Sequence, residues 1–192
     1  MTLPKTRLDQ YDNSWYKPGA GGLKRLVWYF VNALVFNHGL FPFSGLKTFL
    51  LRFFGAQIGK SVVIKPSVNI KYPWLLKIGD FAWIGENVWI DNLTCVEIGA
   101  HSCLSQGSLI LCGNHNYKKE TFDLIVAPIV LGEGSWVGAK AILCPGTTMG
   151  EHSILTTGSI GIGNLDARWI YQGNPATRLR PRIFEGETKP NA

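Results

Sequence analysis

The sequence predicts an all-β solenoid of stacked three-sided coils, preceded by a helical segment and followed by a tail. Three observations predict this fold: an aliphatic residue that returns every six positions, a small or β-branched residue four positions after it, and a glycine that often follows it directly. Because the three features share one register, each six-residue unit is interpreted as a short strand and a turn.

The aliphatic series begins at Ile58 and predicts a narrow apolar interior. Its members are Ile58, Ile64, Ile70, Ile78, Ile84, Ile90, Ile98, Leu104, Ile110, Leu131, Val137, Leu143, Met149 and Leu155. Of the thirteen positions that follow four residues later within the repeat, only Trp74 is neither small nor β-branched. We expect both sets of side chains to point inward, the small ones near a corner of the coil.

The spacing of the repeat also predicts the length of a coil. The steps from Ile70 to Ile78 and from Ile90 to Ile98 are eight residues instead of six. Two extra residues after every third unit give coils of twenty residues with three strands each. Seven glycines directly follow a member of the aliphatic series, and we expect them at turns because other residues resist positive φ. They are Gly59, Gly79, Gly85, Gly99, Gly132, Gly138 and Gly150.

The flanks of the repeat have a different character. Residues 20–56 carry apolar residues at helical spacing, and Pro42 separates two predicted helices. The register fades after about Ile162. The predicted boundaries are therefore an N-terminal arm with amphipathic helices over 1–57, the β-helix over 58–163 with a loop at 112–128, and a C-terminal tail over 164–192.

Composition and charge limit the classes of partner. The net charge is +6, which suits an anionic partner, but the basic residues are scattered and bunch only at Arg178, Arg180 and Arg182. Such bunching is typical of a solvated tail, so no nucleic acid is expected. The four cysteines form no CxxC pair, and no secretion signal is visible; we expect no metal site and a cytoplasmic location.

The repeat breaks once, between Ile110 and Leu131, and the break contains the candidate base. A polar loop that interrupts a regular solenoid is typical of a functional segment, and His115 lies at its root. Imidazole accepts a proton near neutral pH. By register His101 and His152 face outward, so His115 is the best candidate for a catalytic role.

Four segments carry a family resemblance: FLLRFFGAQIGKSVVIKPSVNIKYPWLLKIGDFAWIGENVWI (Phe49–Ile90), LSQGSLILCGNHNY (Leu104–Tyr117), APIVLGEGSWVGAKAILCPGTTMG (Ala127–Gly150) and QGNPA (Gln172–Ala176). They resemble the hexapeptide-repeat acyltransferases, most closely the colanic-acid-biosynthesis acetyltransferase branch. The resemblance covers nearly the whole chain. It implies a left-handed parallel β-helix and a homotrimer with active sites between subunits.

The resemblance further implies transfer of an acetyl group from acetyl-CoA to a hydroxyl of a sugar or lipid-linked glycan, with no metal. His115 would deprotonate the hydroxyl, which would attack the thioester directly. Family position places Trp136, Ala139, Thr157 and Gly158 along the CoA channel. It places Asp91, Asn92, Asn114, Asn116 and Tyr117 beside the acceptor. The branch commonly has Asp after the histidine, so Asn116 implies that another acid or a backbone carbonyl orients His115.

Two other functions remain open from the sequence. A carbonic-anhydrase-like zinc enzyme needs three converging histidines, which the outward register of His101 and His152 disfavours. A membrane-associated scaffold is the other alternative, because the apolar segment Leu26–Phe36 follows Lys24 and Arg25. At eleven residues this segment is too short to span a bilayer, but residues 20–45 could lie at the inner face of the cytoplasmic membrane or pack on the trimer.

Overall fold

The computed structural model describes residues 3–187 and confirms the predicted parallel β-helix. Three sheets form the sides of the coils, and every strand of these sheets except the last one of the second sheet pairs in parallel with a strand one coil away. Sheet 1 contains β1 (Gln57–Ile58), β4 (Leu76–Ile78), β7 (Val96–Ile98), β12 (Ile129–Leu131), β15 (Thr148–Met149) and β18 (Asn164–Leu165).

The chain passes from sheet 1 to sheet 2, then to sheet 3, and back. Sheet 2 contains β2 (Val63–Ile64), β5 (Trp83–Ile84), β8 (Cys103–Leu104), β13 (Trp136–Val137), β16 (Ile154–Leu155), β19 (Trp169–Gly173) and β20 (Ala176–Pro181). Sheet 3 contains β3 (Asn69–Ile70), β6 (Trp89–Asp91), β9 (Leu109–Leu111), β14 (Ile142–Leu143) and β17 (Ile160–Gly161). The strands β10 (Gly113–His115) and β11 (Leu124–Val126) form a separate hairpin.

Both predicted helices are present before the first coil. They are α1 (Gly22–Val31), continued by a π-helical turn (Asn32–Phe36), and α2 (Ser44–Phe53). Short 3-10 helices occur at Leu8–Gln10 and Pro73–Leu75. The second of these contains Trp74, which explains its departure from the repeat: the two extra residues of the first coil lie at the corner between sheets 3 and 1.

The interior matches the predicted register. Every aliphatic member of the repeat is buried except Ile58, which is partly exposed in the first coil. The small residues are buried as well, apart from Trp74 and Thr94. Ile58, Ile78, Ile98, Leu131, Met149 and Leu165 stand in register on sheet 1, so each coil stacks its aliphatic side chain on the one below.

The predicted reason for the repeat glycines is wrong. None of the seven has positive φ; the left-handed conformation occurs two residues later, at positions such as Ser61, Asn87 and His101. A Cβ on any of the seven glycines would instead come within 3 Å of backbone atoms in the adjacent coil. Glycine is required here because the coils stack too closely for a side chain.

Polar side chains from the two helices cover the open edge of the first coil. Ser44 Oγ accepts a hydrogen bond from the Ile64 amide at 3.0 Å and lies within 3.2 Å of the Ile64 carbonyl, to which it donates. Lys47 Nζ donates to the Lys65 carbonyl at 2.7 Å. On sheet 3, Trp28 Nε1 donates to the Ile70 carbonyl at 2.9 Å. These contacts satisfy backbone groups that have no strand beneath them.

The solenoid extends beyond residue 163, contrary to the predicted boundary. β18 and β19 pair in parallel with β15 and β16, and Leu165 and Tyr171 are buried. The six-residue repeat is hard to recognise in this part of the sequence for two reasons. The spacing between core residues becomes irregular in the last coil, and one of these core residues is the aromatic Tyr171. β20 then turns back antiparallel to β19, and Arg178 pairs with Asp166 instead of forming part of a solvated tail.

Close coil stacking predicts that Gly99→Ala destabilises the fold. The new Cβ would lie 2.6 Å from the Glu133 backbone nitrogen, and backbone cannot move aside as a side chain can. We expect a loss of about 1–3 kcal/mol or more in chemical denaturation, as for overpacked cores. Gly45→Ala in α2 is the control, since nothing lies within 4 Å of its Cβ and alanine favours a helix. Equal stability of the two variants would contradict this explanation.

Candidate active site

The loop between sheets 3 and 1 folds as a hairpin that places His115 at the edge of the solenoid. β10 and β11 pair antiparallel, with His115 opposite Leu124. Beyond the strands, Lys119 Nζ lies 2.8 Å from Asp123 Oδ2, and Thr121 Oγ1 donates to the same carboxylate at 2.6 Å. These contacts lower the pKa of Asp123, with Lys119 as the largest cause. The tip of the loop is therefore held in one shape.

His115 is oriented by a backbone carbonyl. Its Nδ1 lies 2.9 Å from the Phe122 carbonyl oxygen, and the two rings stack at 4.5 Å with an angle of 7°. Because a carbonyl can only accept, Nδ1 carries the proton in the neutral ring and Nε2 has the free lone pair. Phe122 adopts the left-handed conformation (φ 52°), which is unusual for a bulky residue and aims its carbonyl at the imidazole.

His115 lines a cleft of about 670 Å³ at the corner between sheets 3 and 1. The hairpin supplies Gly113, Asn114 and Leu124, and the earlier coils supply Lys71, Tyr72, Asp91 and Leu93. Lys71 Nζ lies 2.8 Å from Asp91 Oδ1, and this oxygen is buried. The cleft thus combines an imidazole, a buried carboxylate and aromatic surface.

The N-terminal arm forms the remaining wall, which the sequence patterns did not reveal. Tyr11 packs against His115 with ring centroids 5.7 Å apart. Tyr16 Oη donates to the Leu93 carbonyl at 2.6 Å, and burial raises the pKa of this phenol. The arm also bonds to the loop tip, since the Arg7 amide donates to the Glu120 carbonyl at 2.7 Å. The arm has no periodicity, so only these tertiary contacts place it at the site.

Two of the five predicted acceptor residues line the cleft. These are Asp91 and Asn114. Asn116 and Tyr117 do not: the Asn116 side chain accepts from the Lys118 amide within the loop, and Tyr117 is 77% exposed. They lie where the hairpin turns away from the coils.

Asn92 does not have the predicted position beside the acceptor. Its side chain is fully buried, and it bonds both backbone groups of Tyr72, accepting from the amide at 3.0 Å and donating to the carbonyl at 2.6 Å. With both amide groups engaged, Asn92 supports the coil below and cannot bind an acceptor in the cleft.

The predicted donor residues lie at a different corner of the same chain. Trp136 is 44% exposed on the outer face of sheet 2, where its Nε1 donates to Ser105 Oγ at 2.8 Å. Ala139 and Gly158 stack between sheets 2 and 3, joined by a 2.9 Å bond from the Gly158 amide to the Ala139 carbonyl. Thr157 is exposed beside them. Sheet 3 separates this group from His115.

The other histidines lie apart from the cleft. His101 is exposed and stacks on Phe81, whereas His152 is half-buried against Phe184. Among residues 3–187, no group of three or more His, Cys, Asp and Glu side chains is arranged to hold a metal ion. No helix in that part of the chain has the length and apolarity needed to cross a bilayer.

Comparison with known proteins supplies the family. No protein-family model matches the sequence. WcaF of Escherichia coli (strain K12), which is named for colanic acid biosynthesis as an acetyltransferase, is 39% identical over 165 residues, 86% of this chain and 91% of WcaF. The chain belongs to the colanic-acid-biosynthesis branch of the hexapeptide-repeat acetyltransferases. The predicted enzyme class is therefore confirmed.

Two solved structures of acetyltransferases have the same fold as this chain. A hexapeptide-repeat acetyltransferase from Vibrio cholerae O1 biovar eltor, complexed with acetyl coenzyme A, has a TM-score of 0.76 and 21% identity over 86% of this chain and 92% of its own. A galactoside acetyltransferase in complex with coenzyme A has a TM-score of 0.76 and 22% identity over 87% and 86%.

The carbonyl contact predicts the tautomer of His115. In nitrogen-15 NMR spectra of the neutral imidazole ring, we expect Nδ1 to show the resonance of a protonated ring nitrogen and Nε2 that of an unprotonated one. Exposed His101, whose ring bonds to no described residue, serves as the internal reference. A proton on Nε2 of His115 would contradict the assigned orientation.

The buried amide predicts that Asn92→Ala destabilises the protein. The substitution leaves the Tyr72 amide without a partner and removes one of the two bonds of its carbonyl, which also accepts from the Leu75 amide at 3.0 Å. An unsatisfied buried group costs about 1–3 kcal/mol. Thermal unfolding measures the loss. Asn114→Ala is the matched control because that side chain is exposed, and its melting temperature should stay close to that of the wild type.

Proposed function

We propose that this protein transfers an acetyl group from acetyl-CoA to a sugar hydroxyl, with His115 as the general base and no covalent acetyl-enzyme. The orientation of His115 carries the proposal: Nδ1 is held by the Phe122 carbonyl, so Nε2 is the basic atom beside the cleft. A second support is that two proteins of the same fold have been solved in complex with acetyl-CoA or CoA.

The reaction follows from this arrangement. Nε2 of His115 takes the proton of the acceptor hydroxyl as its oxygen attacks the thioester carbonyl. The tetrahedral intermediate collapses, the carbon–sulfur bond breaks, and the CoA sulfur receives the proton back from the imidazolium. The Phe122 carbonyl dipole points its negative end at Nδ1–H and so favours the transient imidazolium.

The walls of the cleft suit a sugar as acceptor. Asp91 Oδ1 is buried, and beyond its ion pair with Lys71 no hydrogen bond from residues 3–187 reaches it. Since Lys71 holds this buried oxygen and the side chain lines the cleft, the other carboxylate oxygen, Oδ2, is the one that can accept from a sugar hydroxyl. Tyr11 and Tyr72, which both line the cleft, supply aromatic surface for the apolar face of a sugar ring. By analogy with the name of WcaF, we propose an acceptor in exopolysaccharide synthesis, free or linked to a lipid.

We further propose a homotrimer in which a neighbour completes each site. The outer face of sheet 1 is largely polar, with Lys77 paired to Glu97, whereas sheets 2 and 3 expose apolar side chains. These include Trp83, Trp136, Trp89, Leu109 and Ile142. Packing of sheets 2 and 3 between subunits covers these faces. It also brings the donor corner with Ala139 and Gly158 to the neighbour's His115.

Removal of the base predicts a loss of turnover. We expect His115→Asn to lower kcat by about 10²–10⁴, the usual contribution of general base catalysis. His101→Asn, which also removes an imidazole, should leave activity unchanged. Release of CoA from acetyl-CoA is measured against nucleotide sugars and lipid-linked oligosaccharides. Unchanged turnover in His115→Asn would remove the proposed mechanism.

The shared site predicts complementation between two inactive variants. His115→Asn removes the base, and Ala139→Trp fills the donor corner with a large side chain. When the two are unfolded together and reassembled at equal amounts, random assortment into closed trimers restores about a quarter of the sites. Each variant reassembled alone is the control. Activity that stays at the level of the controls would show that each site lies within one subunit.

A further inference from the structure

The helix α2 turns its polar side toward the protein and its apolar side outward. Lys47 and Thr48 are buried against the first coil, and burial lowers the pKa of Lys47. On the opposite side Leu46, Phe49 and Phe53 are exposed, at 41%, 62% and 75%. A surface helix of a water-exposed domain has the reverse arrangement.

The helix α1 and the turn that follows it extend the same surface. Trp28 and Asn32 point inward to the backbone of Ile70. Eleven of the 24 exposed large apolar side chains fall within residues 23–53, and we name this set the apolar base. Its members are Leu23, Leu26, Val27, Tyr29, Phe30, Leu34, Leu40, Phe43, Leu46, Phe49 and Phe53.

Positive charge surrounds the apolar base. From residue 13 to residue 79 the sequence contains nine lysines and arginines and no aspartate or glutamate. Of these nine, only Lys60, Lys71 and Lys77 pair with carboxylates elsewhere among the described residues. Lys47 is turned inward, and the exposed cations on the two helices are Lys24, Arg25 and Arg52. The surface is therefore apolar and cationic at once.

We infer that the apolar base docks on the surface of an anionic lipid bilayer, with α1 and α2 lying in the interface. Apolar residues enter the acyl boundary while lysine and arginine meet the phosphates, which is how interfacial helices bind. A second copy of the chain fits less well, because the same cations would face each other across the contact. The eleven-residue apolar run suits such a position, being too short to cross.

The docking surface adjoins the candidate active site. A second cavity of about 450 Å³ lies between α1 and sheet 3, lined in part by Tyr29, Asn32 and Trp89. It shares Arg25, Lys71, Tyr72 and Asp91 with the cleft of His115. Docking therefore brings the cleft beside the bilayer surface. The docking inference does not depend on the proposed reaction, since binding is measured without turnover.

Co-sedimentation with lipid vesicles tests the inference. We expect the full-length protein to pellet with vesicles of phosphatidylglycerol and phosphatidylethanolamine and to stay in solution with phosphatidylcholine alone. Phe49→Ser combined with Phe53→Ser should weaken the partition at least about tenfold, because two large apolar groups are lost from the contact. Leu179→Ser with Ile183→Ser, at the other end of the solenoid, removes as many exposed apolar residues and should bind as the wild type does.

Three results would overturn docking on a membrane. These are wild-type protein that remains in the supernatant with anionic vesicles, a Phe49/Phe53 variant that pellets as well as its control, or a Phe49/Phe53 variant with a different subunit number by light scattering. The last result would assign the apolar base to a contact between copies. The pair Leu23→Ser on α1 and Leu34→Ser in the π-helical turn that follows it repeats the experiment independently, with circular dichroism as the check on folding.

Discussion

The spacing between coils governs this molecule. Parallel backbone pairing holds neighbouring strands about 4.8 Å apart, so every coil must fit a layer of that thickness. Side chains that point inward have to form columns, and a residue at the corner next to the following coil has no room for a Cβ. The six-residue register records this geometry. The loop that carries His115 leaves the stack at the corner that already holds the extra residues of the first two coils.

A stack of coils also has two ends, and each end exposes backbone groups that lack a partner. At the last coil, β20 folds back on β19 and closes the edge with main-chain bonds. At the first coil the chain uses helices, whose Ser44, Lys47 and Trp28 side chains bond the exposed backbone. The inward polar side of α2 therefore follows from the way the solenoid begins, and the apolar residues of α2 lie on its outer side.

The sequence predicted features that repeat and missed those that occur once. The interior columns, the coil length and the position of His115 follow from periodicity and its single interruption. Contacts between distant segments leave no periodic trace, so the place of Tyr11 beside the histidine was out of reach. Asn92 was misassigned because a corner residue and a ligand-binding residue look alike in sequence. The reason for the glycines was wrong because a steric limit and a need for positive φ select the same residue.

The hydrogen bond between His115 and a backbone carbonyl has a consequence for how this site can change during evolution. A side-chain carboxylate that orients a base can be lost through one substitution, but a carbonyl is present whatever residue stands at position 122. Selection then acts on the shape of the loop backbone instead of on a particular acid. This frees the position after the histidine, where Asn116 now serves only a local turn. What must be kept is the length of the hairpin and its turns, because these place the carbonyl of residue 122 against the ring.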